Sequence, residues 1–266
     1  MQIERKTIDG VSIEHAPSES SPTAPPIVFV HGGTHGSWVW EKFLPYFAAT
    51  GRDCYSFSWF NHGSRELPDD QFAARSMTDT VEELEIVIAQ VGQEPVIISH
   101  SMGAIIAQKY AEKLPVLGQV QLTPALCAEV GFDVESAVSF DVDSEIARGV
   151  PIERPPFEVA WSLYLGGCSE EDARRYYALM PRESATALKE AMTTSVSVDR
   201  TRIGGPSLMI AAEHDVVIPA EAVRRSAAYF GSDYLFLFGR SHNVLVEPRW
   251  RETANRIKSW LDHETW

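Results

Sequence analysis

Cysteine is scarce in this chain: Cys54, Cys127 and Cys168 are the only three, widely separated and without a C-x-x-C pair. An odd, scattered set points to neither a disulfide framework nor a zinc site, and it suits a reducing cytoplasm. Long apolar runs are missing too. No stretch approaches the roughly 18 residues a membrane span requires. The N-terminus, Met1-Gln2-Ile3-Glu4-Arg5-Lys6, runs straight into charge. A soluble, unprocessed, cytoplasmic protein with no membrane partner is expected. Basic residues are outnumbered, 23 Lys and Arg against 37 Asp and Glu, for a net charge of −14. Binding to nucleic acid rests on cations that neutralise phosphate, so a surface this acidic argues against nucleic acid as a partner. Internal repeats and low-complexity tracts are absent as well, which removes solenoids and tails from consideration.

What is present is an ordinary globular composition. With 44% hydrophobic and 23% charged residues the chain can fill a large core, which excludes disordered and fibrous classes. Its 266 residues exceed the usual single domain, yet α/β folds often run this long, so one domain with an insertion is expected.

Apolar residues alternate on either side of Asp9-Gly10, a favoured tight turn, and predict an edge hairpin. Residues 18–26 are rich in Ser and Pro and read as a loop. Ile27-Val28-Phe29-Val30 is then a continuous apolar run of the kind buried on both faces of a sheet. Helical periodicity over 38–49, 77–91, 104–114, 220–230 and 249–261 alternates with strand patterns at 53–59, 95–99, 119–122, 208–212 and 234–238. Such alternation predicts the α/β class, with a mostly parallel sheet flanked by helices. Residues 127–201 break the pattern. They lack clear buried strands, carry Pro151, Pro155, Pro156 and Pro181, and read as short helices and loops. The division expected is a core of residues 1–126 and 202–266 with a cap at 127–201.

The sharpest signal is Val96-Ile97-Ile98-Ser99-His100-Ser101-Met102-Gly103-Ala104, an apolar strand that runs into small-x-Ser-x-Gly and opens a helix. A tight turn there forces the serine into a strained conformation, lifts its hydroxyl above the sheet and tolerates only small residues two positions either side. Gly103 meets that demand. Ser99 stands where glycine is usual and adds one hydroxymethyl group at the closest packing.

A serine hydroxyl needs an imidazole to take its proton, and the imidazole needs a carboxylate to fix its tautomer. Eight histidines compete. His242 follows the last predicted strand, where a loop above the C-terminal sheet edge can reach Ser101. His100 should point sideways from the turn. His31 is read as a structural residue that hydrogen-bonds its own glycine loop, and His15, His62 and His263 as solvated. For the carboxylate, Glu213-His214-Asp215 ends a strand; Asp215 is the choice, Glu213 the adjacent alternative, and His214 a packing or loop residue.

The oxyanion of an acyl-transfer intermediate needs two backbone N–H donors. The loop His31-Gly32-Gly33-Thr34 offers Gly33, and the helix start offers Met102. No G-x-G-x-x-G and no Gly-Lys-Ser/Thr follows this strand, so a phosphate cradle is not expected, and no cofactor is implied. His31 and His35 are spaced like metal ligands, but the glycines between them argue against a helix and no third ligand is evident, so no metal is expected. The partner implied is a small-molecule substrate.

Taken in order, the His-Gly-Gly loop, the Ser-His-Ser-Met-Gly elbow, the Asp215 turn and Ser241-His242-Asn243 with Glu247-Pro248 downstream resemble an α/β-hydrolase over about residues 25–125 and 204–261. More narrowly, His31-Gly32-Gly33-Thr34-His35-Gly36-Ser37-Trp38 is similar to the opening of the group containing plant methyl-ester esterases and hydroxynitrile lyases. That likeness implies Gly33 and Met102 as oxyanion donors. The lyase branch has a threonine where this chain has Gly32 and a lysine where it has Asn243, so hydrolysis is favoured over cyanohydrin cleavage. Ser58-Trp59-Phe60-Asn61-His62-Gly63-Ser64 also departs from the Asp-x-x-Gly-His-Gly of relatives.

The function expected is therefore a serine hydrolase acting on an ester or related acyl bond. Non-hydrolytic chemistry on the same scaffold (lyase, cyclase or cofactor-free oxygenase) and a ligand receptor are the alternatives. Thr34, Trp38, Trp59, Trp161 and Asn243 are candidates for the substrate pocket. Tyr164, Leu165, Tyr176, Tyr177, Leu179 and Met180 are read mainly as the cap's own core, and Arg148, Arg154, Arg174 and Arg175 as solvated surface. If several aromatics do face the site, a small, largely apolar acyl ester suits it. Oligomeric state is not legible from the chain.

Overall fold

The computed structural model describes residues 3–19, 22–131 and 142–266. Asp9 and Gly10 both have positive φ, 51° and 87°, the backbone of a two-residue turn whose twist matches its strands. They join β1 (Glu4–Ile8) to β2 (Val11–Ala16) as the expected edge hairpin. Added to these are β3 (Ile27–Val30), β4 (Cys54–Ser58), β5 (Val96–His100), β6 (Gly118–Leu122), β7 (Ser207–Ala212) and β8 (Asp233–Leu237). They form one eight-stranded sheet of order β1-β2-β4-β3-β5-β6-β7-β8. From β4 to β8 all pairs are parallel, while β1 and β2 are antiparallel.

The helices are α1 (Phe43–Ala48), α2 (Asp69–Ala73), α3 (Val81–Val91), α4 (Gly103–Ala111), α5 (Val142–Arg148), α6 (Phe157–Tyr164), α7 (Glu170–Tyr177), α8 (Ala185–Thr193), α9 (Ala220–Phe230) and α10 (Trp250–His263). Period-two alternation along the central strands sorts the core onto two faces. Ile27, Phe29, Val96 and Ile98 pack with Phe43, Phe47 and Ile257 of α1 and α10. Val28, Val30 and Ile97 pack with Leu84, Val87, Ile105 and Tyr110 of α3 and α4. Among the described residues no helix is long and apolar enough to cross a membrane.

One expected helix differs. The periodicity over 38–49 becomes a 3-10 turn at Ser37–Trp40 and a short helix from Phe43. Pro45 cannot donate a backbone hydrogen bond and is tolerated only in a first turn, so the helix starts two residues before it.

The connection between β6 and β7 holds α5 to α8 and an antiparallel bridge between Ile152 and Glu183. Residues 132–141 of the expected cap lie outside the described residues. The side chains read as the cap's own core pack for the most part on the core of the sheet, while Ile152 and Ala185 form a small cluster with Ala73, Val142, Ile146 and Leu188. Leu165, Tyr176 and Met180 are buried in the same cluster as Trp40, Val244 and Phe29, with Trp161, Tyr164 and Tyr177 packed against it and Leu179 exposed. Two eight-residue helices have too little area to bury their apolar sides on each other, so they extend the core of the sheet. Arg148, Arg154, Arg174 and Arg175 are exposed, and each has a partner in Glu145, Tyr177, Glu170 and Glu41 respectively.

This topology sets the position of the site. β3 is flanked by β4 on one side and β5 on the other, so the winding reverses between β3 and β5, where open α/β sheets leave a crevice at their carboxyl ends. The loops that carry the candidate residues leave from there.

Candidate active site

β5 turns into α4 through Ser101, whose φ of 50° lies in the left-handed region that non-glycine residues seldom enter. The turn is tight because the start of α4 presses on the end of β3. A Cβ on Gly103 would stand 2.6 Å from the carbonyl oxygen of Val30 and closer still to that of His31, so only glycine fits. Ser99 is accommodated: its hydroxyl is buried and donates to the carbonyl of Val120 on β6 at 3.4 Å. Ser101 itself is only half-buried, while Met102 beside it is 6% exposed.

Nε2 of His242 lies 3.1 Å from Ser101 Oγ, and Nδ1 lies 2.9 Å from Asp215 Oδ2. An ionised carboxylate only accepts, so Nδ1 carries the hydrogen and Nε2 is free to accept from the serine. The other oxygen of Asp215 accepts the amides of Val217 at 2.8 Å and Ile218 at 2.9 Å, which fixes the carboxylate plane. Glu213, the alternative, faces away and accepts the Gly239 amide at 2.7 Å. That contact and the His214 amide bond to the Arg240 carbonyl, at 2.7 Å, tie the acid loop to the histidine loop. His214 is a solvent-facing loop residue.

The histidine loop is held from below by a buried ion pair. Arg240 Nε donates to Glu247 Oε2 at 2.5 Å, and its Nη atoms donate to the carbonyls of Arg249 and Val244. The other Glu247 oxygen accepts the amide of Ser241 at 2.8 Å and its hydroxyl. The carbonyl of His242 accepts from Thr123 Oγ1 at 2.9 Å and from His100 Nε2 at 3.2 Å. His100 is thus turned away from Ser101, as expected. Burial, together with the charge of His242, holds its pKa well below the ordinary value.

The amide of Gly33, on the loop after β3, and that of Met102, at the start of α4, have no protein acceptor among the described residues. His31 plays the structural role expected of it: Nδ1 donates to the Gly32 carbonyl at 2.8 Å and Nε2 accepts the Trp59 amide at 3.4 Å. His35 Nδ1 donates to the Gly33 carbonyl at 2.5 Å and Nε2 accepts the Asn243 amide at 2.8 Å. Burial lowers the His35 pKa to about 4, so the ring is neutral. His31 and His35 spend their donors on carbonyls, and among the described residues no three His, Cys, Asp or Glu gather as a metal-binding group.

The pocket candidates divide. Trp38 is stacked on His35 at 5.3 Å and on Tyr176 at 5.6 Å. Tyr164 stands 6.2 Å from His242 and 6.4 Å from His35, ring to ring. Trp59 lies under the loop, 3.7 Å from the His31 ring, and Asn243 is buried with its amide on His35. The indole N–H of Trp161 donates to the Cys168 carbonyl at 3.4 Å. Thr34 is buried, with a φ of 55°.

His62 and His15 overturn the solvated reading. His62 is fully buried and hydrogen-bonds Glu183, because the chain after β4 folds back under the glycine loop. His15 lies in β2, half-buried, and stacks on Tyr55 at 4.3 Å. His263 alone of the three is exposed. Glu183 went unnoticed in the sequence: its contacts with Thr34 and His62 span 149 and 121 residues, which no spacing rule reaches.

A sheet of this order, with a left-handed serine between a central strand and its helix and an acid and a histidine after the last two strands, defines an α/β-hydrolase fold. The chain matches the model of the alpha/beta hydrolase family over residues 27–256 and belongs to that family. Among solved structures it is similar to a monoacylglycerol lipase of Paleococcus ferrophilus (22% identity, 98% of each chain covered, TM-score 0.72). It is similar also to a hydrolase from Pseudomonas aeruginosa PA01 (18% identity, 97% of this chain and 98% of that one, TM-score 0.73). A third is the esterase RhEst1 from Rhodococcus sp. ECU1013 (18% identity, 99% of each chain, TM-score 0.70). At such identities the likeness bears on the fold. A comparison with curated protein sequences finds no match.

Proposed function

We propose that the protein is a serine hydrolase that cleaves a carboxylic ester or related acyl bond of a small, largely apolar molecule. One observation carries the reading: His242 bridges Ser101 and Asp215 at 3.1 and 2.9 Å, in the tautomer that acyl transfer requires. The kinship with proteins described as a monoacylglycerol lipase and an esterase supports it.

In this mechanism Ser101 Oγ attacks the acyl carbon while its proton passes to His242 Nε2, and Asp215 stabilises the imidazolium. The carbonyl electron pair moves onto oxygen, where the amides of Gly33 and Met102 are the donors we assign, the second at the positive end of α4. Collapse expels the alcohol, which takes the proton from His242. Water then attacks the acyl-serine by the same route, and the carboxylic acid leaves.

We also assign residues 127–201 as a cap over this site. Three contacts support that role: Tyr164 beside His242, the Gly167 amide on Ser241 Oγ at 2.9 Å, and Glu183 on the Thr34 amide. Trp38 and Tyr164 are the aromatic walls that suit an apolar acyl group. The likeness of the His31–Trp38 segment to plant methyl-ester esterases fits the same chemistry. The lyase branch is disfavoured by Gly32, whose Cβ would come to 2.9 Å from Ser101 Cβ and from His100 Nδ1, so a threonine there displaces the nucleophile. Three free, buried cysteines suit a reducing compartment, and we assign the protein to the cytoplasm.

A fluorophosphonate probe followed by intact mass tests the reading. One adduct on Ser101, absent in Ser101→Ala and in His242→Ala, is expected. Folded protein that takes no adduct and turns over no ester defeats it.

A further inference from the structure

Glycines cannot orient their own peptide planes, so the geometry of the loop after β3 must come from whatever holds its polar atoms. Three side chains do this. His31 holds the Gly32 carbonyl, and thereby the peptide whose N–H belongs to Gly33. The next peptide unit is held at both ends: its carbonyl, on Gly33, accepts from His35 at 2.5 Å, and its N–H, on Thr34, donates to Glu183 Oε2 at 2.6 Å. His31 and His35 belong to the loop itself. Glu183 does not; it comes from the connection between β6 and β7, beside the bridge to Ile152.

Glu183 is a buried carboxylate, with a side chain 2% exposed. Oε1 accepts the Ser184 amide at 2.8 Å. Its partner is His62, whose Nε2 is 3.1 Å from Glu183 Oε2 and whose Nδ1 is 2.9 Å from the Phe60 carbonyl. Both ring nitrogens thus face oxygen acceptors, one a carboxylate and the other a backbone carbonyl. Burial alone would raise the Glu183 pKa, but the His62 charge, its hydrogen bond and the two amides hold it below the ordinary value. Other ionisable groups lie around the pair. His31, with its ring 5.6 Å from His62, is held neutral by burial and by that charge. Glu83 accepts the Phe60 amide at 2.8 Å and is paired with Arg75.

We infer that Glu183, paired with His62, is a positioning residue: by fixing the Gly33–Thr34 peptide it anchors the far side of Gly33 against the Gly32–Gly33 plane set by His31, and so keeps the Gly33 amide in place, making the acyl-transfer site complete only while the β6–β7 connection is docked. This rests on the serine-hydrolase reading. Its consequence is separable from substrate binding. The Gly33 amide matters most when negative charge develops on the substrate oxygen, so loss of Glu183 acts on kcat and spares KM.

The test compares the wild type, Glu183→Ala and Glu183→Gln in hydrolysis of p-nitrophenyl butyrate, with Ser101→Ala as the blank and kcat expressed per serine titrated to completion with fluorophosphonate. For Glu183→Ala we expect kcat per titrated serine to fall ~10- to 100-fold, with KM within about two-fold, somewhat less than removing an oxyanion donor outright. Glu183→Gln keeps one of two acceptor oxygens and should fall between that variant and the wild type. If Glu183→Ala does not fold, Glu183→Gln decides alone. A role confined to stability lowers the melting temperature and the titratable fraction but leaves kcat per serine unchanged, and that result overturns the inference. So does a rise in KM at unchanged kcat. Wild-type protein without Ser101-dependent turnover removes instead the reading on which the inference stands, so the two failures are distinguishable.

Discussion

Acidification from about pH 7.5 to about pH 5 should cost the folded protein stability through its buried histidines, and His35 sets the scale. Its Nδ1–H is given to the Gly33 carbonyl and its Nε2 accepts the Asn243 amide, so a second ring proton would face another donor. Burial first, and then the charges of His242 and His62, bring its pKa to about 4 against an opposing contribution from the Gly33 bond. In the unfolded chain the pKa returns to about 6.5. Between these values the unfolded state binds more protons than the folded one. Stability from this group is thus fully present above about 6.5 and is lost as pH falls towards about 4. At 1.36 kcal/mol per pH unit over roughly 1.5 units, His35 alone removes about 2 kcal/mol by about pH 5.

His31 and His100 are displaced in the same direction, by burial and neighbouring histidine charge, and add to the loss. Glu183 does not contribute in this window. Its folded pKa lies below the ordinary carboxylate value, so the stability it supplies is lost only as pH falls further. Equilibrium urea unfolding followed by tryptophan fluorescence, at several pH values for the wild type and His35→Asn, measures the effect. Asparagine keeps an N–H near the Nδ1 position for Gly33 and does not titrate. The variant should lose about 2 kcal/mol less than the wild type over the interval, whatever its absolute stability. Parallel curves, or a wild type indifferent to pH across this range, would refute the assignment of a neutral, buried His35.

The acid is tested by contrast. Asp215→Asn should lower kcat by ~10³- to 10⁴-fold in steady-state hydrolysis by upsetting the His242 tautomer. Glu213→Gln should stay within about two-fold of the wild type, since Glu213 faces Gly239 rather than His242. Arg240→Ala leaves Glu247 buried and unpaired beneath the histidine loop, and it should cost ~3–5 kcal/mol, or roughly 6–20 °C in a thermal melt. A melt within about 2 °C of wild type would show that the pair does not hold the loop.

Much of this architecture was legible in the chain because it depends on local patterns. Continuous apolar runs such as Ile27–Val30 and Val96–Ile98 announce strands buried on both faces, and Ser-x-Gly at the end of such a run announces a turn too tight for a Cβ. The positions of Asp215 and His242 follow from chain order once the strands are placed. Asp215 could be preferred to Glu213 because it lies further past the strand end, where a side chain can turn up to the histidine. What stayed hidden is set by contacts between distant residues. His62 sits in a stretch as polar as any surface loop, and only the return of the chain under β3 buries it. The pairing of Asn243 with His35 joins two loops 208 residues apart.

The placement of buried charge explains why those hidden contacts matter. Among the described residues, three carboxylates are paired with a histidine or an arginine with both side chains at most 3% exposed: Glu183 with His62, Glu247 with Arg240 and Asp215 with His242. Buried pairs are poor sources of net stability, since the cost of desolvating both charges offsets most of their attraction. If stability were their purpose, apolar side chains would serve as well. Each, however, holds a loop that leaves the carboxyl end of a strand, and each does so by accepting or donating to backbone as well as to its partner. Glu183 takes the Thr34 and Ser184 amides, Glu247 takes the Ser241 amide, and Asp215 takes the amides of Val217 and Ile218. A methyl group can fill the same volume but cannot fix a peptide plane. The charges are therefore spent where a displacement of a few tenths of an ångström in an N–H direction would be felt, on the three loops that together surround Ser101.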